Sequence, residues 1–247
     1  MAFFLTRSRR IGLYAVTHVA DTKMPQLRDA LAGVVNFYNS RGFRVRNCFA
    51  DGAFECLEDR VPGVNIDTCG NAEHVGDIER AVRTIKERIR AIRAGLPFSR
   101  LPRKVIVQMV RFAALWLNAF PCRNGISRIF SPRTIVTGLT MSYRLHCRLP
   151  FGAHAEVHDN PSPSNLTDVA RTAPAICCGP TGNHRGTYVF YSLRTGELVK
   201  RHQWVPMVIT PGIVRRVHDL ADATDQVDGL DFGDRDYGQH IGARVCA

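Results

Sequence analysis

Acidic residues are absent from a long stretch of this sequence. Between Glu87 and Glu156 there is no aspartate or glutamate, whereas the same stretch contains twelve lysines and arginines. The deficit is regional, because residues 1–150 hold 24 basic against 11 acidic side chains, and residues 151–247 hold 9 against 11. With a net charge of +11, this asymmetry favours a nucleic acid or another anionic surface as the partner over a small neutral metabolite.

Three features that mark other protein classes are also missing. The eight cysteines form no C-x-x-C pair, the first residues MAFFLTRSRR hold too short an apolar run for a signal peptide, and no apolar run is long enough to span a membrane. We therefore expect reduced thiols, an intracellular location and no membrane partner. A hydrophobic content of 45% predicts a folded core.

A loose zinc set is the first candidate for chemistry. His146, Cys147, His154 and His158 lie close together in the sequence. A structural zinc site needs four converging ligands, and no C-x-x-C pair supports one here. The alternation in residues 153–158 is equally typical of a β-strand.

The first 150 residues show the periodicities of a mixed α/β domain. Apolar residues at helical spacing and turn residues between apolar runs predict a mixed sheet flanked by helices. Ser131-Pro132 has the N-cap and first-turn signature of a further short helix. Strands are predicted at Phe3–Arg7, Gly12–Val19, Phe43–Ala50 and Val61–Thr68, and helices at Lys23–Asn39, His74–Ala94 and Lys104–Phe120.

The remainder of the chain has a different composition. Residues 151–175 are rich in Pro, Ser, Asn and Thr, as is typical of a linker. Thr187–Leu193 and Leu198–Val205, separated by Gly196, predict a β-hairpin within a small β-barrel over residues 151–217. Residues 218–247 carry an aspartate about every third position and predict a disordered acidic tail.

The stretch at residues 71–94, NAEHVGDIERAVRTIKERIRAIRA, combines acids with a line of cations. On a helix, Glu79 falls on one stripe with Arg83, Lys86, Arg90 and Arg93, beside the apolar face. A solvated i,i+4 pair of Glu79 with Arg83 explains the same spacing without any function. The functional alternative is that the stripe follows a phosphate backbone.

A second acid, Asp51, follows an apolar strand and precedes Gly52. Sheets present ligand carboxylates at such strand ends, although Asp-Gly is also an ordinary turn signal. Asp51 and Glu79 together offer the oxygen ligands that Mg²⁺ prefers, and two such ions activate a hydroxyl in phosphodiester chemistry.

Several segments in a fixed order resemble the integrase of copia-type LTR retrotransposons. The resemblance extends over residues 3–217 and is distributed over four motifs. These are F-A-D-G-A-F-E (49–55), E-H-V-G-D-I-E-R-A-V-R-T-I-K-E-R (73–88), L-W-L-N-A-F-P (115–121) and S-P-R-T-I-V-T-G (131–138).

The resemblance implies a ribonuclease-H-like core over residues 1–150, an SH3-like barrel over residues 151–217 and the disordered tail over residues 218–247. It implies a polynucleotidyl transferase that integrates DNA with Mg²⁺ or Mn²⁺. The partners would be element ends and target DNA, without a small-molecule substrate, in the nucleus or cytoplasm. A homo-oligomer is one option. Asp51 matches the second metal-binding carboxylate and Glu79 the third, whereas Glu55, Glu73 and Asp77 match neither. Arg80, Arg83, Lys86, Arg90 and Arg93 would contact DNA.

The chain departs from this family in two ways. The interval between Asp51 and Glu79 is short, and the strand that carries the first catalytic aspartate has no counterpart before Phe3. We therefore expect an integrase-derived, DNA-binding chain that is inactive alone. The alternatives are a nucleic-acid-binding or polyprotein-interaction module without chemistry, and a fragment that is barely folded.

Overall fold

The computed structural model describes residues 1–69, 76–158, 170–224 and 243–246. The chain divides into two compact units. Unit 1 comprises Met1–Arg88, Ala113–Thr140 and Asp231–Ala247, and unit 2 comprises Ile89–Phe112 and Met141–Leu230. No helix in the described part of the chain combines the length and the apolar character needed to cross a membrane.

Strands and helices follow one another in the mixed order that the sequence predicts. The strands are β1 (Ala2–Arg7), β2 (Tyr14–Val19), β3 (Asn47–Asp51), β4 (Asn65–Cys69), β5 (His154–His158), β6 (Thr172–Pro180), β7 (Tyr188–Ser192), β8 (Leu198–Arg201), β9 (Trp204–Pro206) and β10 (Ala243–Cys246). The helices are α1 (Met24–Asn39), α2 (Gly76–Ala94), α3 (Arg103–Leu117), α4 (Pro132–Thr137), α5 (Tyr143–His146) and α6 (Pro211–Asp222).

A five-stranded mixed sheet in the order β2-β1-β10-β3-β4 forms unit 1. β1 and β2 are antiparallel, and β3 and β4 are parallel. The sequence predicts a sheet that lacks one strand, but β10 lies between β1 and β3, parallel to the former and antiparallel to the latter. The backbone N–H and C=O groups of β1 and β3 on the sides that face each other require hydrogen-bond partners, and β10 supplies them.

Helix α1 closes the core of unit 1. It begins at Met24, one residue after the predicted start, with Lys23 as its N-cap and a proline in its first turn. Leu27 and Leu31 on this helix pack in one buried cluster with Phe4 of β1 and Cys48 of β3. This packing fixes β3, and therefore the strand end at which Asp51 lies, against the rest of unit 1.

Unit 2 contains an antiparallel sheet in the order β8-β7-β6-β5-β9. The predicted hairpin is confirmed, because β7 and β8 pair with Tyr188 opposite Arg201. The predicted linker over residues 151–175 is wrong at β5 and at the start of β6, because the alternating residues of β5 pair with β6. The SH3-like barrel stays a prediction.

The predicted boundary between barrel and tail falls inside helix α6. Thr210 caps this helix by accepting a hydrogen bond from the Ile213 backbone N–H, and Pro211 follows in the first turn. The Ser99 backbone N–H donates to His218 Nε2 at 3.1 Å, and Arg100 forms an ion pair with Asp222 at 2.6 Å. Residues 225–242, where most of the predicted tail lies, are outside the described residues.

Candidate functional site

Asp51 is the last residue of β3, at the end of a parallel strand pair. Its Cα lies opposite that of Cys69 in β4, and the side chain is half-buried. The backbone there is extended, and a 3₁₀ turn over Gly52–Leu57 follows directly. Phe54 and Leu57 of this turn are buried, so apolar packing fixes the direction in which the chain leaves the strand. The structure thus places Asp51 at a strand end, as predicted.

Glu79 lies in the first turn of α2, also in unit 1. It is half-buried, between the fully buried Ile78 and the exposed Arg80. The helix buries Ile78, Ala81, Ile85 and Ile89. Val82, an apolar residue of the same helix, is only half-buried. Glu79 therefore lies at the border of the apolar face, as the helical spacing predicts.

The first cations of α2 are solvent-exposed and lie beside acids of the same helix. Arg80 lies 3.8 Å from Asp77, with 76% of its side chain exposed. Arg83 lies 3.5 Å from Glu87, with 81% of its side chain exposed. Exposed ion pairs of this kind contribute little to stability and dissociate readily when a stronger anion approaches. These guanidinium groups are accessible to a phosphate.

The last predicted DNA contact, Arg93, has a structural role as well. Its guanidinium donates hydrogen bonds to the backbone carbonyls of Phe98 and Ser99, just beyond the end of α2. Partial burial lowers the pKa of this guanidinium. Lys86 is half-buried and Arg90 is exposed. The predicted cationic stripe is thus split between exposed arginines and one that holds the following loop.

The donor set for a metal is incomplete among the described residues. Across residues 1–69, 76–158, 170–224 and 243–246, no group of three or more His, Cys, Asp and Glu side chains is arranged to hold a metal ion. Asp51 and Glu79 are oxygen donors of the type that Mg²⁺ prefers, but a two-ion site requires more ligands than these two. The residues that the structure describes do not fit such a site.

Two members of the loose zinc set, His146 and His154, lie within hydrogen-bond distance of backbone groups. His146 accepts a hydrogen bond at Nδ1 from the Ser142 backbone N–H, at 2.9 Å, and its Nε2 lies 2.9 Å from the Asn183 carbonyl oxygen. His154 Nδ1 lies 3.0 Å from the Val208 carbonyl oxygen. Both rings therefore connect backbone segments of unit 2 and serve its fold.

The aromatic side chains separate into buried and exposed groups. Tyr188, Phe190 and Tyr191 in the hairpin are buried in the core of unit 2. Phe120, the last residue of the helix predicted over Lys104–Phe120, is 63% exposed. The predicted end of the helix was wrong, because α3 ends at Leu117 and leaves Phe120 in the following loop.

Comparison with known proteins shows a structural likeness but no family. No family model matches this chain, and no curated protein matches it. Among solved structures, the chain is similar to the catalytic core domain of BIV integrase, with 15% identity and a TM-score of 0.36. The match covers 56% of this chain and 92% of that one. A likeness at this level establishes no family, so the functional proposal rests on the residues themselves.

Proposed function

We propose that this chain is an integrase-like DNA-binding protein that contacts the phosphate backbone through the exposed cations of α2. The observation that carries the proposal is the pair Arg80 and Arg83, whose side chains are 76% and 81% exposed. They precede a stretch that lacks acids from residue 88 to residue 155. Cations arranged along a helix replace the counterions of DNA, and the release of those ions favours binding.

The finer assignment comes from the sequence motifs. We propose descent from the integrase of a copia-type retrotransposon polyprotein, with Asp51 and Glu79 as the remaining Mg²⁺ or Mn²⁺ ligands. Their positions, at a strand end and in the first turn of a helix within unit 1, are compatible with this assignment. DNA would be the partner, in the nucleus or the cytoplasm.

The chain would bind DNA without catalysing strand transfer by itself. The two oxygen donors do not suffice for two metal ions, and none of the described residues completes a group of three. This observation favours the second candidate function, a nucleic-acid-binding module without chemistry. Asp51 and Glu79 would then serve the fold rather than a reaction.

Charge-neutral variants in unit 1 test the binding surface. We expect Arg80→Gln combined with Arg83→Gln to weaken the binding of duplex DNA by about tenfold or more at low salt, because two phosphate contacts are lost. Arg28→Gln combined with Arg44→Gln removes the same charge from other exposed positions of unit 1. If both double variants bind DNA equally well, the α2 surface is not the binding site.

A strand-transfer assay with Mg²⁺ and with Mn²⁺ tests the proposal that the chain binds DNA without catalysing strand transfer by itself. We expect no strand transfer by the chain alone, and DNA binding that survives Asp51→Asn and Glu79→Gln. Strand transfer by the unaltered chain that Glu79→Gln abolishes would show instead that a complete catalytic site exists.

A further inference from the structure

A loop in unit 1 exposes an unusual amount of apolar surface. In residues 120–130, called here the apolar loop, four large apolar side chains face solvent. Their exposed fractions are 63% for Phe120, 60% for Ile126, 81% for Ile129 and 57% for Phe130. Single exposed apolar residues are common in soluble proteins, but four within one loop of eleven residues favour an interaction surface.

The conformation of the apolar loop is held by hydrogen bonds to its backbone. The Ile126 N–H donates to the carbonyl oxygen of Arg10 at 3.0 Å. Ser127 Oγ accepts from the N–H groups of Ile129 and Phe130, at 3.2 and 2.9 Å. The exposed side chains therefore project from a defined backbone, which lowers the entropic cost of binding.

The hairpin turn between β1 and β2 supports the loop closely. Gly12 has φ +79°, and a Cβ placed on it would lie 3.0 Å from Cys122 Sγ. Arg7 Nη2 donates to the same sulfur at 3.8 Å. The turn and the apolar loop consequently form one packed surface.

This surface is rich in positive charge. Neither residues 1–20 nor residues 88–155 contain an acidic residue, so the two segments that build the surface contribute none. Arg123 and Arg128 line a cleft of about 450 Å³ together with Pro121, Cys122 and Asn124. Exposed arginines of the surface are Arg9, Arg10, Arg123 and Arg128. An arginine fork matches the geometry of a carboxylate, so an acidic side chain fits this cleft.

We propose that the apolar loop and the adjoining turn dock a polypeptide partner in which acidic residues alternate with large apolar ones. Protein interfaces combine apolar and aromatic anchors with arginine, which is the composition of this surface. Although the rings of Phe120 and Phe130 could stack on bases, the exposed Ile126 and Ile129 fit apolar side chains, and protein interfaces are less polar than DNA interfaces. The role is independent of the DNA binding proposed for α2.

A fluorescent synthetic peptide of alternating aspartate with leucine and phenylalanine is the probe, and the complete chain is the receptor. We expect saturable binding that Ile129→Ser and Arg128→Ser each weaken by about tenfold. Tyr143→Ser is the matched control, because Tyr143 is 82% exposed and lies in unit 2. A peptide with asparagine in place of aspartate should bind at least about tenfold more weakly.

The unaltered midpoint of urea unfolding verifies that each variant is folded. Failure of the acidic peptide to bind would overturn the proposal, as would equal weakening by Tyr143→Ser and Ile129→Ser. The proposal is also overturned if Ile129→Ser leaves peptide binding intact but reduces binding to duplex DNA or to phosphatidylserine vesicles. Those two results would assign the surface to a nucleic acid and to a membrane, respectively.

Discussion

Two pairs of like residues, one member of each in unit 1 and the other in unit 2, have different surroundings. Unit 1 turns Phe130 and Arg83 towards solvent, whereas unit 2 buries Phe190 and ties Arg93 to backbone carbonyls. Phe190 belongs to a strand that pairs on both sides, and Phe130 belongs to a loop. The difference teaches that the contacts which the fold offers to a side chain, more than its residue type, decide whether an aromatic or an arginine serves the fold or a partner.

The largest effect in this comparison is expected from the two phenylalanines. Phe190→Ala should lower the free energy of unfolding by about 3–5 kcal/mol, because it leaves a cavity beside Tyr188 and Trp204. Phe130→Ala should change it by no more than about 0.5 kcal/mol, because the ring is exposed. Urea unfolding followed by circular dichroism measures both. An equal decrease in the free energy of unfolding for the two variants would contradict the different roles given to Phe190 and Phe130.

A smaller effect is expected from Arg93 and Arg83, which both lie on α2. Arg93→Ala should lower the free energy of unfolding by about 1–2 kcal/mol, because the carbonyls of Phe98 and Ser99 lose a charged donor. Arg83→Ala should cost no more than about 0.5 kcal/mol, since it breaks only an exposed pair with Glu87. Trp204 fluorescence in a Trp116→Phe background follows the unfolding of unit 2. A smaller loss for Arg93→Ala than for Arg83→Ala would contradict the structural role of Arg93.

Local signals in the sequence were sufficient for most elements. The N-cap prediction at Ser131 is confirmed, because its side chain accepts a hydrogen bond from the Thr134 N–H, three residues away. The β7–β8 hairpin is also confirmed. Its two strands are joined by a short turn, so the pairing is again between residues that are close in the sequence. The mixed α/β class follows from such neighbouring interactions.

Interactions between distant residues account for what the sequence could not predict. Asn118 holds the backbone of Tyr14 through two hydrogen bonds, at 2.8 and 2.7 Å, just where α3 has ended, so the chain reaches Phe120 outside the helix. The pairing of β10 with β1 joins residues at opposite ends of the sequence. No periodicity within a segment carries information about either contact.

The positions of Asp51 and Glu79 within their strand and helix could be predicted, whereas the contacts of the cations on α2 could not. The strand end at Asp51 and the helix start at Glu79 follow from turn and periodicity signals. The spacing of Arg83 and Arg93 is that of one continuous stripe, yet only the fold shows that Arg93 is engaged with the loop after α2. Stripe patterns give the direction of a side chain on a helix and not its partners.

The salt dependence of duplex DNA binding tests the central claim most directly. The logarithm of the association constant falls linearly with the logarithm of salt concentration, by about 0.9 for each phosphate contacted. Relative to the unaltered chain, Arg80→Gln combined with Arg83→Gln is expected to reduce this slope by about two, and Arg28→Gln combined with Arg44→Gln to leave it unchanged. An unchanged slope for the α2 double variant would contradict the assignment of DNA binding to α2.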